Sequence, residues 1–245
     1  MDRQALVCRN ILEKPDITQR EMAKNMDISL GTVNGLVKEC LAEGYIAEEE
    51  NGKEKHLILL EKGKELLKPY KVDGALIIAA GFGSRFVPLT FETPKGLLEV
   101  FGERMIERQI KQLHEVGIYD ITIAVGYLKE KFEYLIDKFD VRLLYNPEYS
   151  CKNTLATVYR ARKFLKGRNV YILSSDNWMR ENMYHSYECG AWYSAAHEEG
   201  ETKEWCFTFN KKDISSDVNV GGKDVWFMYG PVYLSREFSA RFLPV

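Results

Sequence analysis

Apolar residues recur at helical spacing through the first forty positions, then give way to short alternations and continuous apolar runs. Val33, Leu36, Val37, Cys40 and Leu41 fall at i, i+3, i+4, i+7 and i+8, one unbroken stripe on a helix, with Gly44 where a C-terminal cap belongs. Upstream, Thr18 followed by Glu21 forms a capping box, which predicts a helix starting there and burying Met22, Ala23 and Met26. Residues 45–49 and 56–60 read as strands joined through Asn51-Gly52, a strong hairpin signal, and a further helix begins at Glu61. Beyond residue 73 the texture changes. Strand-like runs at 75–80, 121–125, 142–145 and 170–174 alternate with helical stretches at 105–116, 129–138 and 154–164. Such alternation predicts a three-layer α/β/α sandwich on a largely parallel, Rossmann-like sheet.

The chain therefore divides at a junction over residues 69–74 into a module at 1–70 and a larger domain at 73–245. Helix, turn, helix, two-stranded wing and final helix make the first a winged helix-turn-helix. The face of its second helix opposite the apolar stripe offers Thr32, Asn34, Gly35, Lys38 and Glu39. Residues 1–70 hold 11 Lys and Arg against 13 Asp and Glu. Phosphate neutralisation supplies most of the affinity for DNA, so a net-negative module needs a homodimer to concentrate its cations on DNA. A protein contact is the other role open to the same fold.

Composition narrows the class further. A 45% hydrophobic fraction over 245 residues allows real cores, and a net charge of −2 announces neither nucleic acid nor membrane. Five cysteines without a C-x-x-C pair read as reduced, buried thiols of a cytoplasmic protein. The four histidines show no metal-ligand spacing, and no signal peptide or spanning run is present.

Chemistry concentrates just after the first apolar run of the larger domain. Ala79, Ala80, Gly81, Phe82, Gly83, Ser84 and Arg85 are followed by Thr93-Pro94-Lys95. Glycines expose backbone N–H groups, while Ser84, Arg85 and Lys95 add a hydroxyl and two cations, making an anion cradle of the size a nucleoside triphosphate needs. A dinucleotide fingerprint would require glycine where Phe86 stands, and a P-loop would require Gly-Lys-Ser/Thr, which the loop lacks. Asp176 ends the later run at 170–174, at the carboxyl edge where open α/β sheets bind ligands. An aspartate there can simply cap a turn; downstream of a phosphate loop it reads as a hard oxygen ligand for Mg2+.

The string G-x-G-S-R-x-x-P followed by P-K resembles the signature of nucleotidyltransferases that activate sugar phosphates and phosphocholine. From Ala75 onward the chain is similar to bacterial CTP:phosphocholine cytidylyltransferases, which supply choline to cell-surface polymers. The supporting strings are L-I-I-A-A-G-F-G-S-R-F-V-P-L-T, T-P-K-G-L, V-G-Y-L-K-E-K-F, V-R-L-L-Y-N-P-E-Y, D-N-W-M-R-E-N-M and K-E-W. The segment L-L-E-K-G-K-E-L-L after the wing is similar to the end of MarR-like winged-helix domains. The resemblance implies that Ala79, Ala80 and Gly81 line base and ribose, Gly83, Ser84 and Arg85 hold phosphates, and Asn153 approaches the nucleobase. It further implies that Lys95 bridges nucleotide and acceptor phosphate, with Arg85 and Lys95 as the catalytic pair, and that Asp176 holds Mg2+. A cage of Trp178, Tyr193 and Trp205, with Glu204 as counter-charge, would take a quaternary ammonium acceptor.

Two departures from the family pattern enter the expectation. Ser174 stands where choline-type relatives carry an acidic residue, and the second metal aspartate of the family lies in an extension past a segment like 229–244, so the domain reads as C-terminally incomplete. It should then bind CTP and turn over weakly. Two alternatives remain open at this level: a sugar-1-phosphate nucleotidyltransferase, with polar hydroxyl-binding groups in place of the cage, and a DNA-binding regulator whose degenerate second domain senses a nucleotide.

Overall fold

The computed structural model describes residues 2–51, 54–210 and 215–242, apart from the side chains of Asn51, Glu54 and Arg85. Gly52 of the hairpin signal lies outside them. The described chain forms two compact units, residues 1–71 together with 187–190, and residues 72–186 together with 191–245.

In the first unit, α1 (Arg3–Glu13), α2 (Gln19–Asn25) and α3 (Leu30–Ala42) precede the antiparallel wing β1 (Ile46–Asn51) and β2 (Glu54–Leu59), and α4 (Glu61–Leu67) follows. Each of the first three helices starts on a side-chain cap: Asp2, Thr18 with its reciprocal Glu21, and Ser29. Those caps satisfy N–H groups that a helix's first turn otherwise leaves open. Val33, Val37 and Cys40 of the expected stripe are buried with Met22, while Leu36 and Leu41 pack partly buried against the same core. Gly44 takes the left-handed conformation, φ 70°, that its capping position requires.

Residues 187–190 belong to this unit although 115 residues of the chain separate them from Lys71. Cys189 enters the core beside α1 and α3, the Glu188 N–H donates to the Tyr70 carbonyl, and the buried Glu188 carboxylate pairs with Arg9 at 2.9 Å.

The second unit carries a six-stranded sheet in the order β7-β6-β3-β8-β10-β9. Its strands are β3 (Gly74–Ala79), β6 (Ile121–Val125), β7 (Arg142–Tyr145), β8 (Val170–Ser174), β9 (Trp192–Phe209) and β10 (Ser215–Leu234); a small hairpin, β4 (Glu99–Val100) and β5 (Glu103–Arg104), leads into α5 (Met105–Glu115). β7, β6, β3 and β8 run parallel, β10 antiparallel to β8. Alternation along β3 sends Ala75, Ile77 and Ala79 into the core shared with α5 and α6 (Tyr134–Phe139). Leu76 goes to the opposite core with α7 (Thr154–Arg160) and α8 (Arg162–Leu165). A last helix, α9, spans Arg236–Phe242.

Three expectations are modified. The helical stretch at 129–138 is a 3-10 turn, Lys129–Phe132, followed by α6, and the stretch at 154–164 is broken at Ala161, whose ψ of 1° leaves helical geometry. The ribbon β9–β10 has no counterpart in the sequence reading, because most of its residues are exposed and little apolar alternation marks it. It folds back on itself where Gly200 (φ 98°) and Asp224 (φ 52°) face each other, so that Phe227 meets both Ala196 and Cys206 and the Tyr193 and Phe207 rings lie 6.3 Å apart. Finally, four cysteines are buried as expected of inert thiols, but Cys151 is exposed. Among the described residues no helix is long and apolar enough to cross a membrane.

Candidate active site

The buried strand β3 delivers its loop at the carboxyl edge of the sheet, and local chemistry dictates the loop's course. Gly83 sits at φ 63°, and a Cβ there would lie 3.0 Å from Thr90 Cγ2 and 3.2 Å from Lys95 Cβ, so only glycine fits. Its carbonyl accepts from the Thr90 hydroxyl at 3.0 Å and from the Phe86 N–H at 2.9 Å, closing the 3-10 turn Ser84–Phe86. Phe82 is wedged between Tyr127 and Tyr149, with centroids 5.2 and 5.1 Å away, and the Tyr127 N–H donates to the Ala80 carbonyl.

The Pro94-Lys95-Gly96-Leu97 segment is set against this loop by packing. Leu97 is buried in the main core, and a Cβ on Gly96 would come within 2.6 Å of the Ser175 hydroxyl oxygen. That close approach brings Lys95 to the end of β8, where its ammonium pairs with the Asp176 carboxylate and lies 4.3 Å from the Phe86 ring. The result is a cavity of about 330 Å³ lined by Ile78, Ala79, Gly81, Gly83, Ser84, Phe86, Lys95, Gly96, Thr154, Ser175 and Asp176. One carboxylate, one ammonium and a run of backbone donors thus share a space of ligand size.

The structure brings together six of the sequence-derived site residues, Ala79, Gly81, Gly83, Ser84, Lys95 and Asp176. Ala80 is buried behind them. Asn153 is exposed next to Thr154, its side-chain oxygen capping α7 by accepting from the Leu155 N–H at 3.1 Å. The Arg85 side chain lies outside the described residues.

The expected cage residues stand in different surroundings. Trp178 meets Phe101 at 5.1 Å with the rings tilted by 57° and lies 4.7 Å from the Arg108 guanidinium, and it is not part of the cavity lining. Trp205 is 57% exposed and Glu204 is exposed on the outer half of β9, a consequence of the ribbon that the sequence reading missed. Tyr193 lines a second, largely apolar cavity of about 510 Å³ with Trp192 and Met228, and this cavity shares Ile78 and Thr154 with the first. Burial raises the Tyr193 phenol above its ordinary pKa, keeping the ring neutral.

Asp176 offers one hard oxygen donor beside the Ser175 hydroxyl. Among the described residues no group of three or more His, Cys, Asp or Glu side chains is arranged to hold an ion. A single carboxylate fits a cation that arrives with a triphosphate, since Mg2+ takes one or two carboxylates and completes its octahedron with phosphate oxygens and water.

The loop carrying Asp176 is fastened from α5, which the sequence reading did not anticipate. Gln109 Nε2 donates to the Ser174 carbonyl at 2.9 Å and to the Asn177 carbonyl at 2.7 Å; Gln112 Nε2 donates to the Met179 carbonyl at 3.2 Å, as does Arg108 Nε at 2.6 Å. The available signal was two glutamines, spaced i and i+3, standing beside the buried stripe Ile106, Ile110 and Leu113.

Residues 74–202 match the nucleotidyl transferase family model, more than half of the chain. The chain belongs to the nucleotidyl transferase family. Within that family it is 38% identical over 149 residues to a choline-phosphate cytidylyltransferase of Streptococcus pneumoniae, covering 61% of this chain and 64% of the relative. It is 35% identical over 169 residues to a 2-aminoethylphosphonate cytidylyltransferase of Lancefieldella rimae, covering 68% and 69%. The chain therefore spans just under two thirds of the pneumococcal relative's length. The solved structure of a CTP:phosphocholine cytidylyltransferase from Streptococcus pneumoniae superposes with a TM-score of 0.64 at 34% identity, over 70% of this chain and 74% of that one. Residues 9–47 match a winged helix-turn-helix DNA-binding family, in agreement with the fold of the first unit.

Proposed function

We propose that the second unit transfers CMP from CTP to a small phosphorylated amino alcohol or aminophosphonate, phosphocholine being the type acceptor, with release of pyrophosphate. The observation that carries this reading is the meeting of the glycine loop, Lys95 and Asp176 in one cavity. CTP as donor and an aminated phosphate or phosphonate as acceptor are drawn from the two cytidylyltransferases above, whose names share a cytidylyl donor and differ in acceptor.

In the reaction a phosphate oxygen of the acceptor attacks the α-phosphorus of CTP, and the bond to the bridging oxygen of the β-phosphate breaks in line. The acceptor is already anionic, so no strong general base is required, and the work of the protein is alignment and charge neutralisation. Ala79, Ala80 and Gly81 would line the base and ribose, and the backbone N–H of Gly83 and the Ser84 hydroxyl would meet the triphosphate. A Cβ on Gly81 would meet no protein atom within 4 Å, so the glycine there serves the approach of a ligand rather than the packing of the chain. Arg85 and Lys95 neutralise the phosphates on either side of the reacting phosphorus, Asn153 donates toward the cytosine, and Asp176 holds the divalent cation, which we assign as Mg2+. When bound, that cation supplies Lewis-acid polarisation of the phosphate oxygens.

Tyr193, at the cavity adjoining the nucleotide site, is the cage residue we assign to the ammonium end of the acceptor. Trp178, Trp205 and Glu204 do not line that cavity. Turnover of CTP against phosphocholine, 2-aminoethylphosphonate and sugar 1-phosphates tests the acceptor class; a preference for a sugar 1-phosphate would replace it. Assembly of activated acceptors for surface polymers is the process this product class serves.

A second reading, of DNA contact by the first unit, is favoured by the family match over residues 9–47. Exposed Asn34 and Lys38 on α3 are the residues that would approach the duplex. Fluorescence anisotropy with random duplex DNA, with and without CTP, tests it.

A further inference from the structure

We infer that Gln109 is the positioning residue of the metal carboxylate, acting through the turn that carries Asp176; the inference rests on the assignment of Asp176 to the metal–nucleotide site. The two hydrogens of one amide nitrogen go to the carbonyls of Ser174 and Asn177, the residues that bracket Ser175-Asp176. Gln109 is 1% exposed, so water cannot replace it as donor to either carbonyl. The amide orientation follows from its surroundings, because the reversed side chain would set its oxygen against two carbonyl oxygens.

The turn is held also by the Lys95–Asp176 pair and by the close seating of Gly96 on Ser175. Ser175 N–H donates to the Ile78 carbonyl at 3.0 Å, and the Asn177 N–H reaches the Ser174 carbonyl at 3.3 Å. Gln109 spans the turn from outside, on helix α5, and sets the backbone from which the Asp176 side chain leaves, while Lys95 meets the carboxylate itself. Outer partners that orient a metal ligand commonly govern affinity for the ion by 10- to 100-fold. Gln112 has the same chemistry, comparable burial and the same helix, but bonds the Met179 carbonyl three residues beyond Asp176. The pair therefore separates positioning of the carboxylate from fastening of the loop.

The test compares Gln109→Met and Gln112→Met, both volume-conserving and helix-compatible, with Gln109→Glu as a second variant that keeps the shape of the side chain. Mn2+ bound in the presence of CTP is counted by electron paramagnetic resonance, and thermal melting is recorded for each protein. The expected result is Mn2+ affinity about tenfold weaker in Gln109→Met, and weaker also in Gln109→Glu. Gln112→Met should hold the wild-type affinity while losing a similar amount of thermal stability. Unchanged Mn2+ affinity in both Gln109 variants, or an equal loss in Gln112→Met, overturns the inference. Wild-type protein that binds no Mn2+ with CTP overturns the functional reading and this inference with it.

Discussion

Lys95 carries two duties that pull in different directions. Its ammonium pairs with Asp176 and lies over the Phe86 ring, and it is assigned to the acceptor phosphate during transfer. Lys95→Met should therefore lower kcat far more than it weakens CTP binding, because a charge contact made in the transition state contributes about 3–4 kcal/mol. Steady-state kinetics with CTP titrated at saturating acceptor measures the split; an unchanged kcat removes Lys95 from the chemistry. Gly83 makes a second residue-scale case. Its left-handed φ and the 3.0 Å approach of a Cβ to Thr90 mean that Gly83→Ala strains the loop by about 1–3 kcal/mol. A lower melting temperature together with weaker CTP binding is expected, whereas Gly81→Ala, facing open space, should weaken CTP binding at unchanged melting temperature.

At the scale of elements, charge and capping set the stability of the first unit. Hydrogen bonds from Lys14 and then from the Thr18 backbone and hydroxyl pull the Glu21 carboxyl from its ordinary 4.5 down to about 2. A carboxylate depressed on folding stabilises above its unfolded pKa and loses that contribution as pH falls toward the folded value. The first unit should thus weaken between pH 4.5 and about 2, and Glu21→Gln should flatten that part of a pH–melting curve. An identical curve for the variant would show the capping box to be silent. The segment at 187–190 contributes as well: Glu188→Ala takes the nearer of two carboxylates from the half-buried Arg9, leaving Glu13 at 4.0 Å and the Tyr187 carbonyl, at a cost of about 1–3 kcal/mol. Hydrogen exchange in α1 should speed accordingly, and unchanged protection there would contradict the role of the pair. Legibility from sequence follows the same physics. The capped, striped α2 and α3 and the apolar runs of β3, β6, β7 and β8 were readable because local pattern and tertiary role agree. The ribbon β9–β10 and the segment 187–190 were not, since one is largely exposed and the other is placed by contacts distant in sequence. In the site, the glycine loop, Lys95 and Asp176 carried their chemistry in residue type and spacing. Where Trp178, Tyr193 and Trp205 stand depends on a folded-back ribbon that local pattern does not reveal, and Gln109 hid as one polar residue beside an apolar stripe.

For the whole molecule, the chain passes from one unit to the other after Lys71 and again on either side of residues 187–190. Eleven positions separate Asp176 from Tyr187, so the segment that completes the winged-helix core continues directly from the loop that Gln109 and Arg108 fasten. The central claim is cytidylyl transfer at the cavity between the glycine loop and Asp176. It is tested most directly by measuring pyrophosphate released from CTP by the wild-type chain and by Asp176→Asn, with and without phosphocholine and with and without Mg2+. The account predicts release by the wild type that requires both phosphocholine and Mg2+, and a loss of at least about a hundredfold in Asp176→Asn. Release that is independent of phosphocholine, or equal in the two proteins, would contradict it.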